Sequence, residues 1–548
     1  EYKNIQPEQI KVIDPCMGSG HILVYAFDVL MDIYTSCGWS ERDAALSILQ
    51  HNLFGLDIDR RAYQLAYFAV MMKARQYNRS VIKSGEIQPQ LANFADVMGV
   101  DTSLISGKIA AFAEQFAYAD TYGSLMEIKA PAGLDEAVSE FNVSFGISKK
   151  QLDMMLRIYK NLSQKYDVVV TNPPYMGGSG MNAKLSDFVK KYFPDSKSDL
   201  FACFIEKGIE LAKTGGYNCM VTMQSWMFLS SFENMRKKLM LTNTISNLMH
   251  MENMVMGIAF GTAVTSFRKG YIKGYKGTYN HIKLEDIMDS IPKQFPVSGN
   301  RFAQVSTENF SKIPGMPVAY WVSEKWITAF ENNPILREFS VMKKGTSTGD
   351  NNKFIRNWHE ISLMKICFDS STSEEALKTQ KKWFPINSGG ERRKWYGNRS
   401  DIVNWYNDGK EMKALATKLN HGGHWSRYII NPDKFFLNNI TWSAISSSKI
   451  SVRYTGIGFV FSSAAMETFG KDINYIMALI NSKVGDDILS VLAPTINFGV
   501  EQVGKIPIII DKEKKERVEP LVDENIFLAK EDWDSFETSW DFESHPLI

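Results

Sequence analysis

Hydrophobic residues in the first half of the chain follow one repeated pattern, a short apolar run and then a longer stretch with apolar residues every three or four positions. A short run bounded by glycine or polar residues predicts a buried strand, and the longer spacing predicts an amphipathic helix. Strands are predicted at 11–14, 53–57, 91–94, 168–170, 217–223 and 263–267, and helices at 22–34, 60–78, 198–212 and 231–241. This alternation indicates an α/β fold, a Rossmann-like domain with a doubly wound mixed sheet.

The first predicted strand ends in a glycine turn, Asp14-Pro15-Cys16-Met17-Gly18-Ser19-Gly20. Gly18 and Gly20 can adopt a positive φ and carry no Cβ, so a ligand can approach the backbone amides closely. A glycine turn also joins strands to helices for purely structural reasons. The pattern differs from the G-x-G-x-x-G of nicotinamide enzymes. It resembles the S-adenosylmethionine (SAM) turn of amino-methyltransferases, which implies that Asp14 and Pro15 lie near the methionine part of the cofactor.

The second predicted strand ends in Asp57, beside the end of the first. A carboxylate at this position can accept hydrogen bonds from both hydroxyls of a ribose. Capping of the following helix is the alternative role for Asp57 and Asp59. We assign the ribose to Asp57, which lies nearer the strand end, and the cap to Asp59. By position, Asp96 after the third strand would meet the adenine of the cofactor, with Asn93 as the alternative, although either could be an ordinary loop residue.

The run Val168–Val170 is followed at once by Asn172-Pro173-Pro174-Tyr175, here called the NPPY turn. Two prolines cannot continue a central strand, because each lacks an N–H and has a fixed φ. The chain therefore leaves the sheet rigidly, with an amide and an aromatic ring at the carboxyl end of a strand, where open α/β sheets bind ligands. A plain proline turn is the structural alternative.

The NPPY turn, downstream of a SAM-type turn, resembles that of the methyltransferases that act on adenine N6, cytosine N4 or protein glutamine. An aromatic amine is a poor nucleophile, because its lone pair is conjugated with the ring. The resemblance implies that the Asn172 side chain and the Pro173 carbonyl accept hydrogen bonds from this amine and stabilise the positive charge that develops on its nitrogen. Tyr175 would stack on the flat substrate, and no metal is predicted.

A second stacking residue is expected near the Gly257–Thr262 stretch, since the adenine enzymes place another aromatic ring opposite the catalytic tyrosine. Phe260 is the candidate and Met256 the alternative, and simple packing accounts for either equally well. Leu200 or Phe201, at the start of the helix after the NPPY turn, could also touch the target base. Residues 97–150 show no strong pattern and are interpreted as an insertion that covers the cofactor pocket.

Length and composition allow at least two domains, since the chain has 548 residues of which 44% are hydrophobic. The net charge of +1 excludes a uniformly basic nucleic-acid coat. Five cysteines without a C-x-x-C pair argue against zinc or a disulfide framework and favour free thiols in a reducing compartment. No apolar run is long enough to span a membrane, so we expect a cytoplasmic protein. Because the chain starts without methionine, we expect it to be part of a longer protein.

The second half of the chain has a different character. We predict a methyltransferase domain over 1–288, a Ser-, Pro-, Gly- and Asn-rich linker over 289–320, a mixed α/β target-recognition domain over 321–510 and an acidic extension over 511–548. Residues 341–460 hold 19 Lys and Arg against 10 Asp and Glu, net +9, and the last 38 residues hold 5 against 12, net −7.

Basic residues in the predicted recognition domain alternate with tryptophans and tyrosines, as suits contact with DNA phosphates and bases. A solvated basic face over an aromatic core is the plainer interpretation. The densest clusters, separated by Gly389-Gly390, are the candidate DNA contacts: Lys381, Lys382, Arg392, Arg393 and Lys394.

Longer stretches resemble the PglX family, the adenine-N6 DNA methyltransferases of BREX phage-defence systems, which have the gamma order of motifs. They are KVIDPCMGSGHILVYAFDVL, NLFGLDIDRRAYQLAYFAV, TGDNNKFIRNW, GGERRKWYGN and WDSFETSWDF. The resemblance implies SAM as cofactor, double-stranded DNA as substrate, other BREX proteins as partners and phage-encoded inhibitors as further candidates. Three alternatives stay open: a type IIG restriction–methyltransferase subunit, a glutamine or RNA amino-methyltransferase, and a non-catalytic DNA-reading scaffold.

Overall fold

The structure is a computed structural model that describes residues 5–84, 87–141, 146–288, 291–446, 449–493, 497–545 and 547. It divides into two compact units. The first comprises Glu1–Ser311 and Gly315–Trp321, and the second comprises Lys312–Pro314 and Val322–Ile548.

The first unit is built on a nine-stranded mixed sheet with the strand order β11-β8-β6-β7-β5-β4-β1-β2-β3. The strands β3, β2, β1, β4 and β5 run parallel, whereas β7 runs antiparallel to both β5 and β6. Its nine strands are β1 (Val12–Asp14), β2 (Leu53–Asp57), β3 (Gln90–Asn93), β4 (Tyr166–Thr171), β5 (Ala212–Met223), β6 (Asn243–Met251), β7 (Thr262–Lys269), β8 (Lys276–Ile282) and β11 (Phe302–Ser306). The short strands β9 (Ile287–Met288) and β10 (Ile291–Pro292) form a separate antiparallel pair. The predicted doubly wound mixed sheet is confirmed.

Helices cover both faces of this sheet and supply its two apolar cores. One core lies under the first three helices, and the other includes the insertion and the helices after the NPPY turn. The helices are α1 (His21–Ser36), α2 (Glu41–Ser47), α3 (Arg60–Tyr77), α4 (Val81–Ser84), α5 (Gly107–Ala113), α6 (Ala119–Tyr122), α7 (Leu134–Ser139), α8 (Lys149–Ser163), α9 (Ala183–Tyr192), α10 (Leu200–Leu211), α11 (Glu233–Thr242) and α12 (Glu308–Ser311).

The second unit contains two four-stranded sheets, ordered β12-β19-β16-β17 and β13-β15-β14-β18. Their strands are β12 (Val341–Lys344), β13 (Ile355–Asn357), β14 (Trp383–Asn387), β15 (Asp401–Asn404), β16 (Asn439–Ser443), β17 (Val452–Gly456), β18 (Val460–Phe461) and β19 (Ala465–Phe469). Its helices are α13 (Glu324–Asn332), α14 (Leu336–Phe339), α15 (Asn351–Phe354), α16 (Ser373–Lys378), α17 (Tyr406–Leu419), α18 (Ile473–Asn481), α19 (Lys483–Leu492), α20 (Val500–Val503) and α21 (Lys512–Asp534). The mixed α/β character predicted for this part of the chain is present.

The structure differs from the predicted linker, of which residues 289 and 290 lie outside the described residues. Strand β11 pairs with the edge strand β8 and so extends the sheet of the first unit. Tyr320 is buried, and the guanidinium of Arg236 donates to the carbonyls of Gly315 at 2.8 Å and Met316 at 3.2 Å. Composition alone marked this stretch as a linker, whereas backbone pairing and a buried arginine attach it to the first unit.

The predicted acidic extension is also part of a folded unit. Helix α21 is capped by Asp511, which accepts a hydrogen bond from the Lys514 amide at 3.0 Å, and it belongs to the second unit. All five cysteines are free thiols. Within the described part of the chain, no helix combines the length and the apolarity that crossing a membrane requires.

Candidate functional site

The carboxyl ends of the parallel strands β1, β2 and β4 bring the predicted site residues to one edge of the sheet. Val12 and Ile13 of β1 pair with Val168 and Val169 of β4, so Asp14 lies beside the strand end that carries the NPPY turn. On its other side β1 pairs with β2, which ends in Asp57. Because parallel strands of an open α/β sheet form their ligand crevice at this edge, the arrangement suits a binding site.

Asp57 links the second strand to the glycine turn. One of its carboxylate oxygens accepts a hydrogen bond from the Gly18 amide at 2.8 Å, and the other accepts one from the Asp59 amide at 2.8 Å. Asp59 in turn accepts bonds from the amides of Arg61 and Ala62, so the prediction that Asp59 caps α3 is confirmed. Burial raises the pKa of the Asp57 carboxyl above its usual value.

The two glycines of the turn have different roles in the structure. Gly18 has a φ of +51°, and a Cβ added there would meet nothing within 4 Å. Gly20 has a φ of +85°, and a Cβ there would lie 2.9 Å from the Cα of Ala66 in α3. Gly20 is therefore required for the packing of α1 against α3.

Asp14 is buried at the base of the turn, with 1% of its surface exposed. Its Oδ1 accepts a hydrogen bond from the Cys16 amide at 3.0 Å, and its Oδ2 has no hydrogen-bond partner among the described residues. Burial raises the pKa of this carboxyl to about 7, because it penalises the charged form. A buried carboxyl with an unused oxygen fits a cationic group such as an ammonium.

A cavity of about 260 Å³ joins the glycine turn, Asp57 and the NPPY turn. Four predicted site residues line it: Pro15, Asp57, Asn172 and Pro174. Its lining does not include the predicted residues Asp14, Gly18, Gly20, Pro173, Tyr175 and Phe260. The remaining lining residues, which the sequence analysis did not single out for the cofactor, are Cys16, Ile58, Thr121, Tyr122, Gly123, Ser124, Leu125, Leu185, Leu200 and Phe204. A carboxylate, an amide and an apolar wall in one cavity suit a nucleoside-bearing cofactor next to a reacting amine.

The insertion supplies one wall of this cavity. The hydroxyl of the buried Ser124 donates to the carbonyl of Pro15 at 2.6 Å, across 109 positions of sequence. Tyr122 stacks on Phe188 of α9, with ring centroids 4.1 Å apart. A larger groove of about 1060 Å³ shares Tyr122 and Leu125 with the cavity but is lined by none of the predicted site residues.

The NPPY turn presents its amide and its ring together. Asn172 is exposed, and its Oδ1 accepts a hydrogen bond from the Tyr175 hydroxyl at 2.9 Å. The same hydroxyl lies 3.3 Å from the carbonyl of Val221 in β5. Burial raises the pKa of Tyr175 to about 12, so this hydroxyl stays protonated at neutral pH. Asn172 Oδ1 has a second lone pair, which leaves room for an amine donor.

The ring of Tyr175 lies between two phenylalanines. Its centroid is 6.1 Å from that of Phe201 in α10 and 5.8 Å from that of Phe260, with both pairs edge to face. Of the two candidates for a second stacking residue, the structure brings Phe260 to the tyrosine. Met256 is exposed, and its sulfur accepts a hydrogen bond from the hydroxyl of Thr262.

Asp199, at the start of α10, fixes the chain after the NPPY turn. Its carboxylate accepts a hydrogen bond from the Met176 amide at 3.0 Å, and the Leu200 amide donates to the Met176 carbonyl at 3.1 Å. The loop that leaves Tyr175 is thereby held against the helix that contributes Leu200 and Phe204 to the cavity.

Asp96, predicted to meet the cofactor adenine, is not among the residues that line the cavity. Its Oδ1 pairs with Nε of Arg60 at 3.1 Å, and its Oδ2 accepts from the Asn93 amide group at 3.2 Å. The ion pair with Arg60 neutralises this carboxylate. The sequence alone does not show that Arg60 lies beside Asp96.

The candidate DNA-binding residues of the second unit differ in how free they are. Arg392 and Lys382 are exposed, and within the described ranges Arg392 makes no hydrogen bond or ion pair. Arg393 pairs with Asp532 of α21 at 2.8 Å and lies over the ring of Trp533. The remaining two donate to backbone carbonyls, Lys381 to Met364 and Lys394 to Asn481.

Sequence comparison finds known methylases that are similar to this chain. Residues 51–255 match the model of the Eco57I restriction-modification methylase family. The chain is 36% identical over 575 residues to the adenine-specific methyltransferase PglX of Lacticaseibacillus casei (strain Zhang), an alignment that covers 99% of this chain and 47% of PglX. It is also 36% identical over 594 residues to the adenine-specific methyltransferase BrxX of Escherichia coli O9:H4 (strain HS), covering 100% of this chain and 47% of BrxX.

The chain is homologous to PglX and BrxX. The resemblance that the sequence predicts is confirmed, and it extends over nearly the whole chain. The chain spans about half the length of these two curated relatives, since each alignment covers 47% of the relative.

Solved structures of restriction-modification enzymes share the fold. The type IIL enzyme MmeI, in complex with DNA, matches 99% of this chain and 68% of its own, with a TM-score of 0.55 and 13% identity. The nuclease-deletion mutant of the type ISP enzyme LlaGI, with a DNA substrate mimic, matches 95% of this chain and 44% of its own, with a TM-score of 0.53 and 11% identity. At these identities the likeness concerns the fold alone.

Proposed function

We propose that the protein containing this chain transfers a methyl group from SAM to N6 of adenine in DNA. The observation that carries the proposal is that Asp57, the predicted ribose ligand, and Asn172, the predicted amine acceptor, line the same cavity. Homology to two proteins named adenine-specific methyltransferases supports adenine as the target.

The residues around the cavity fit SAM. Asp57, in the cavity lining, suits the two ribose hydroxyls. We assign the ammonium of the methionine part to Asp14, which directly precedes the lining residue Pro15 and whose Oδ2 has no hydrogen-bond partner among the described residues. Ile58, Leu125 and Phe204 offer apolar surface for the adenine ring. When bound there, SAM supplies an activated methyl group on its sulfonium.

In the proposed mechanism, Asn172 Oδ1 and the Pro173 carbonyl accept hydrogen bonds from the two N–H groups of the target amine. These acceptors stabilise the positive charge that develops on the nitrogen as the new bond forms. Tyr175 and Phe260 hold the flat base so that its amine points along the line of transfer, and positioning of this kind accounts for much of the acceleration. The base must leave the duplex, because N6 cannot enter a pocket while it is stacked.

We assign DNA recognition to the second unit. Its segment 341–460 carries a net charge of +9, and exposed Arg392 and Lys382 suit phosphate contacts. We also propose that the protein acts in BREX-type phage defence with other BREX proteins, and that phage-encoded inhibitors are further partners. The homology to PglX and BrxX supports this role.

Methyl transfer from labelled SAM tests the proposal. The full-length protein is incubated with duplex DNA, with RNA and with a glutamine-containing protein substrate, and the label in each is counted. Label in DNA alone is expected. Label in RNA or protein instead would favour the amino-methyltransferase alternative, and cleavage of unmethylated DNA would favour the type IIG alternative.

SAM affinity is expected to depend on pH through Asp14. Its pKa is about 7 in the free protein, so the carboxyl is largely protonated below that pH and cannot pair with the ammonium. Well below that pH, the association constant for SAM should therefore decrease by about tenfold for each pH unit. Calorimetric titration between about pH 5 and 9 measures this dependence.

The stability of the free protein should show the opposite dependence. A carboxyl whose pKa is raised by folding stabilises the folded state at low pH, and this contribution is lost as the pH rises through about 7.

Asp14→Asn is the control for the SAM titration. It should bind SAM weakly, and its SAM affinity should show no change near neutral pH. An unchanged pH dependence in this variant would assign the titration to another group.

Salt dependence of DNA binding should separate Arg392 from Arg393. Arg392→Ala is expected to lower the slope of log affinity against log salt by about 0.9, the value for one phosphate contact. Arg393→Ala, the matched control, should change the slope less, because Asp532 already neutralises that guanidinium. Equal changes in both variants, or none in Arg392→Ala, would move the contact surface elsewhere.

A further inference from the structure

A buried histidine lies behind the Phe260 side of the candidate base site. His250, in β6, has 7% of its surface exposed and stacks on His281 of β8 with ring centroids 4.7 Å apart. Burial lowers its pKa to about 3, so the ring is neutral at physiological pH. Neither the proposed chemistry nor cofactor binding uses this ring.

The two ring nitrogens of His250 have different partners. Nε2 contacts Oε1 of Gln224, and Nδ1 lies 3.1 Å from the hydroxyl of Tyr320. A neutral imidazole has one N–H, and an amide oxygen only accepts. Nε2 is therefore the donor to Gln224, and Nδ1 accepts from the Tyr320 hydroxyl. Since Tyr320 is itself buried, His250 holds the Gln224 side chain in one orientation.

Gln224 in turn lies against the turn that carries Phe260. Its backbone N–H donates to the Gly261 carbonyl at 3.0 Å. A Cβ added to Gly261 would lie 2.4 Å from both Cδ and Nε2 of Gln224 and 2.6 Å from Oε1. The flat face of the side-chain amide thus rests on the Cα of Gly261, the residue after Phe260.

The glycine at 261 is required by this contact and not by its own backbone. Gly261 is not among the residues with a positive φ, so an alanine can adopt the same backbone conformation. What excludes a side chain is the amide of Gln224. The contacts run from Tyr320 through His250 and Gln224 to the Phe260–Gly261 turn, whose phenyl ring is 5.8 Å from that of Tyr175.

We propose that Gln224, held by His250, is a positioning residue that sets Phe260 opposite Tyr175 at the target-base site. The inference rests on the proposed function, because it gives Phe260 a role in stacking on the base. It adds a polar support, drawn from the residue after β5, from β6 and from the end of the first unit, to the aromatic pair proposed to contact the base.

A mutant cycle tests the inference. Wild type, Gly261→Ala, Gln224→Ala and the double variant of the full-length protein are compared for kcat and KM with DNA, for SAM affinity and for thermal midpoint. Gly261→Ala should lower kcat about tenfold or more, because its methyl group pushes against Gln224 and displaces the neighbouring Phe260. In the Gln224→Ala background the same change should cost less than about twofold, since the obstacle is gone. SAM affinity should stay the same in all four proteins.

Other outcomes would overturn the inference. An equal loss of kcat from Gly261→Ala in both backgrounds would show that Gln224 does not transmit the effect, and parallel losses of SAM affinity would indicate general damage. Thermal midpoints report the Gly261–Gln224 contact whatever the protein methylates, because Gly261→Ala should destabilise the protein only while Gln224 is present. If the wild type transfers no methyl group to DNA, the proposed function is refuted. The thermal midpoints of the four proteins would still show whether Gly261 and Gln224 interact.

Discussion

Replacing Asn172 by alanine is expected to lower kcat for methyl transfer about a thousandfold, while SAM affinity stays within about twofold of the wild-type value. The side chain is exposed at the cavity, and its Oδ1 carries a lone pair that the Tyr175 hydroxyl does not use. Removing one preorganised polar group from a reaction centre costs about a hundred- to a thousandfold, and the target amine would lose one of two acceptors. Single-turnover transfer and calorimetric titration of SAM measure the two effects separately.

Asn332→Ala is the matched control, since it removes an exposed asparagine side chain from the second unit. It should retain full transfer. Loss of SAM binding in Asn172→Ala would contradict the assigned role, because it would make Asn172 a cofactor ligand. Full activity would assign the chemistry to another residue.

Replacing Asp57 by alanine is expected to weaken SAM binding about a hundredfold. In the proposed complex the ribose would lose two charge-assisted hydrogen bonds, each worth at most about 1.5–3 kcal/mol, and the backbone amides of Gly18 and Asp59 would lose their partner. The amine site at Asn172 is untouched, so transfer at saturating SAM should fall far less than affinity does.

Asp59→Ala provides a matched comparison two residues away. Asp59 caps α3 through the amides of Arg61 and Ala62, so its loss should lower the stability of the protein. SAM affinity should be nearly unchanged. If Asp59→Ala weakened SAM as much as Asp57→Ala, the effect would belong to the end of the helix and not to the ribose.

The sequence is sufficient to predict the five parallel strands of the sheet and β7, because local patterns specify them, whereas β6, β8 and β11 were not predicted. The strand Leu53–Asp57 has the predicted bounds, and α3 begins at Arg60 as its capping aspartate indicates. Prolines that cannot pair end β4 at Thr171, which places Asn172 at the strand's carboxyl end. Where one residue type forces a backbone conformation, its consequence can be predicted without the rest of the chain.

The wall of the cavity could not be predicted in this way. Tyr122–Leu125 carry no periodic pattern, and they reach the site through contacts with residues far away in sequence, such as Ser124 with Pro15. Asp96 and Arg393 show the same limit for charges. Each has an ion-pair partner, Arg60 and Asp532, whose proximity only the folded chain reveals.

The support behind Phe260 has a similar origin. Gln224 follows β5, His250 lies in β6 and Tyr320 lies in the stretch interpreted as a linker, so three separate segments must fold before the contact exists. Gly261 is a glycine without a positive φ, which indicates a close approach by another group.

The most direct test of the account is nucleoside analysis of DNA after reaction with the full-length protein and SAM. Digestion and mass spectrometry should show N6-methyladenine with the wild type and none with Asn172→Ala, although both bind SAM. N4-methylcytosine, or no methylated nucleoside from a wild type that binds both SAM and DNA, would contradict the claim that this cavity methylates adenine.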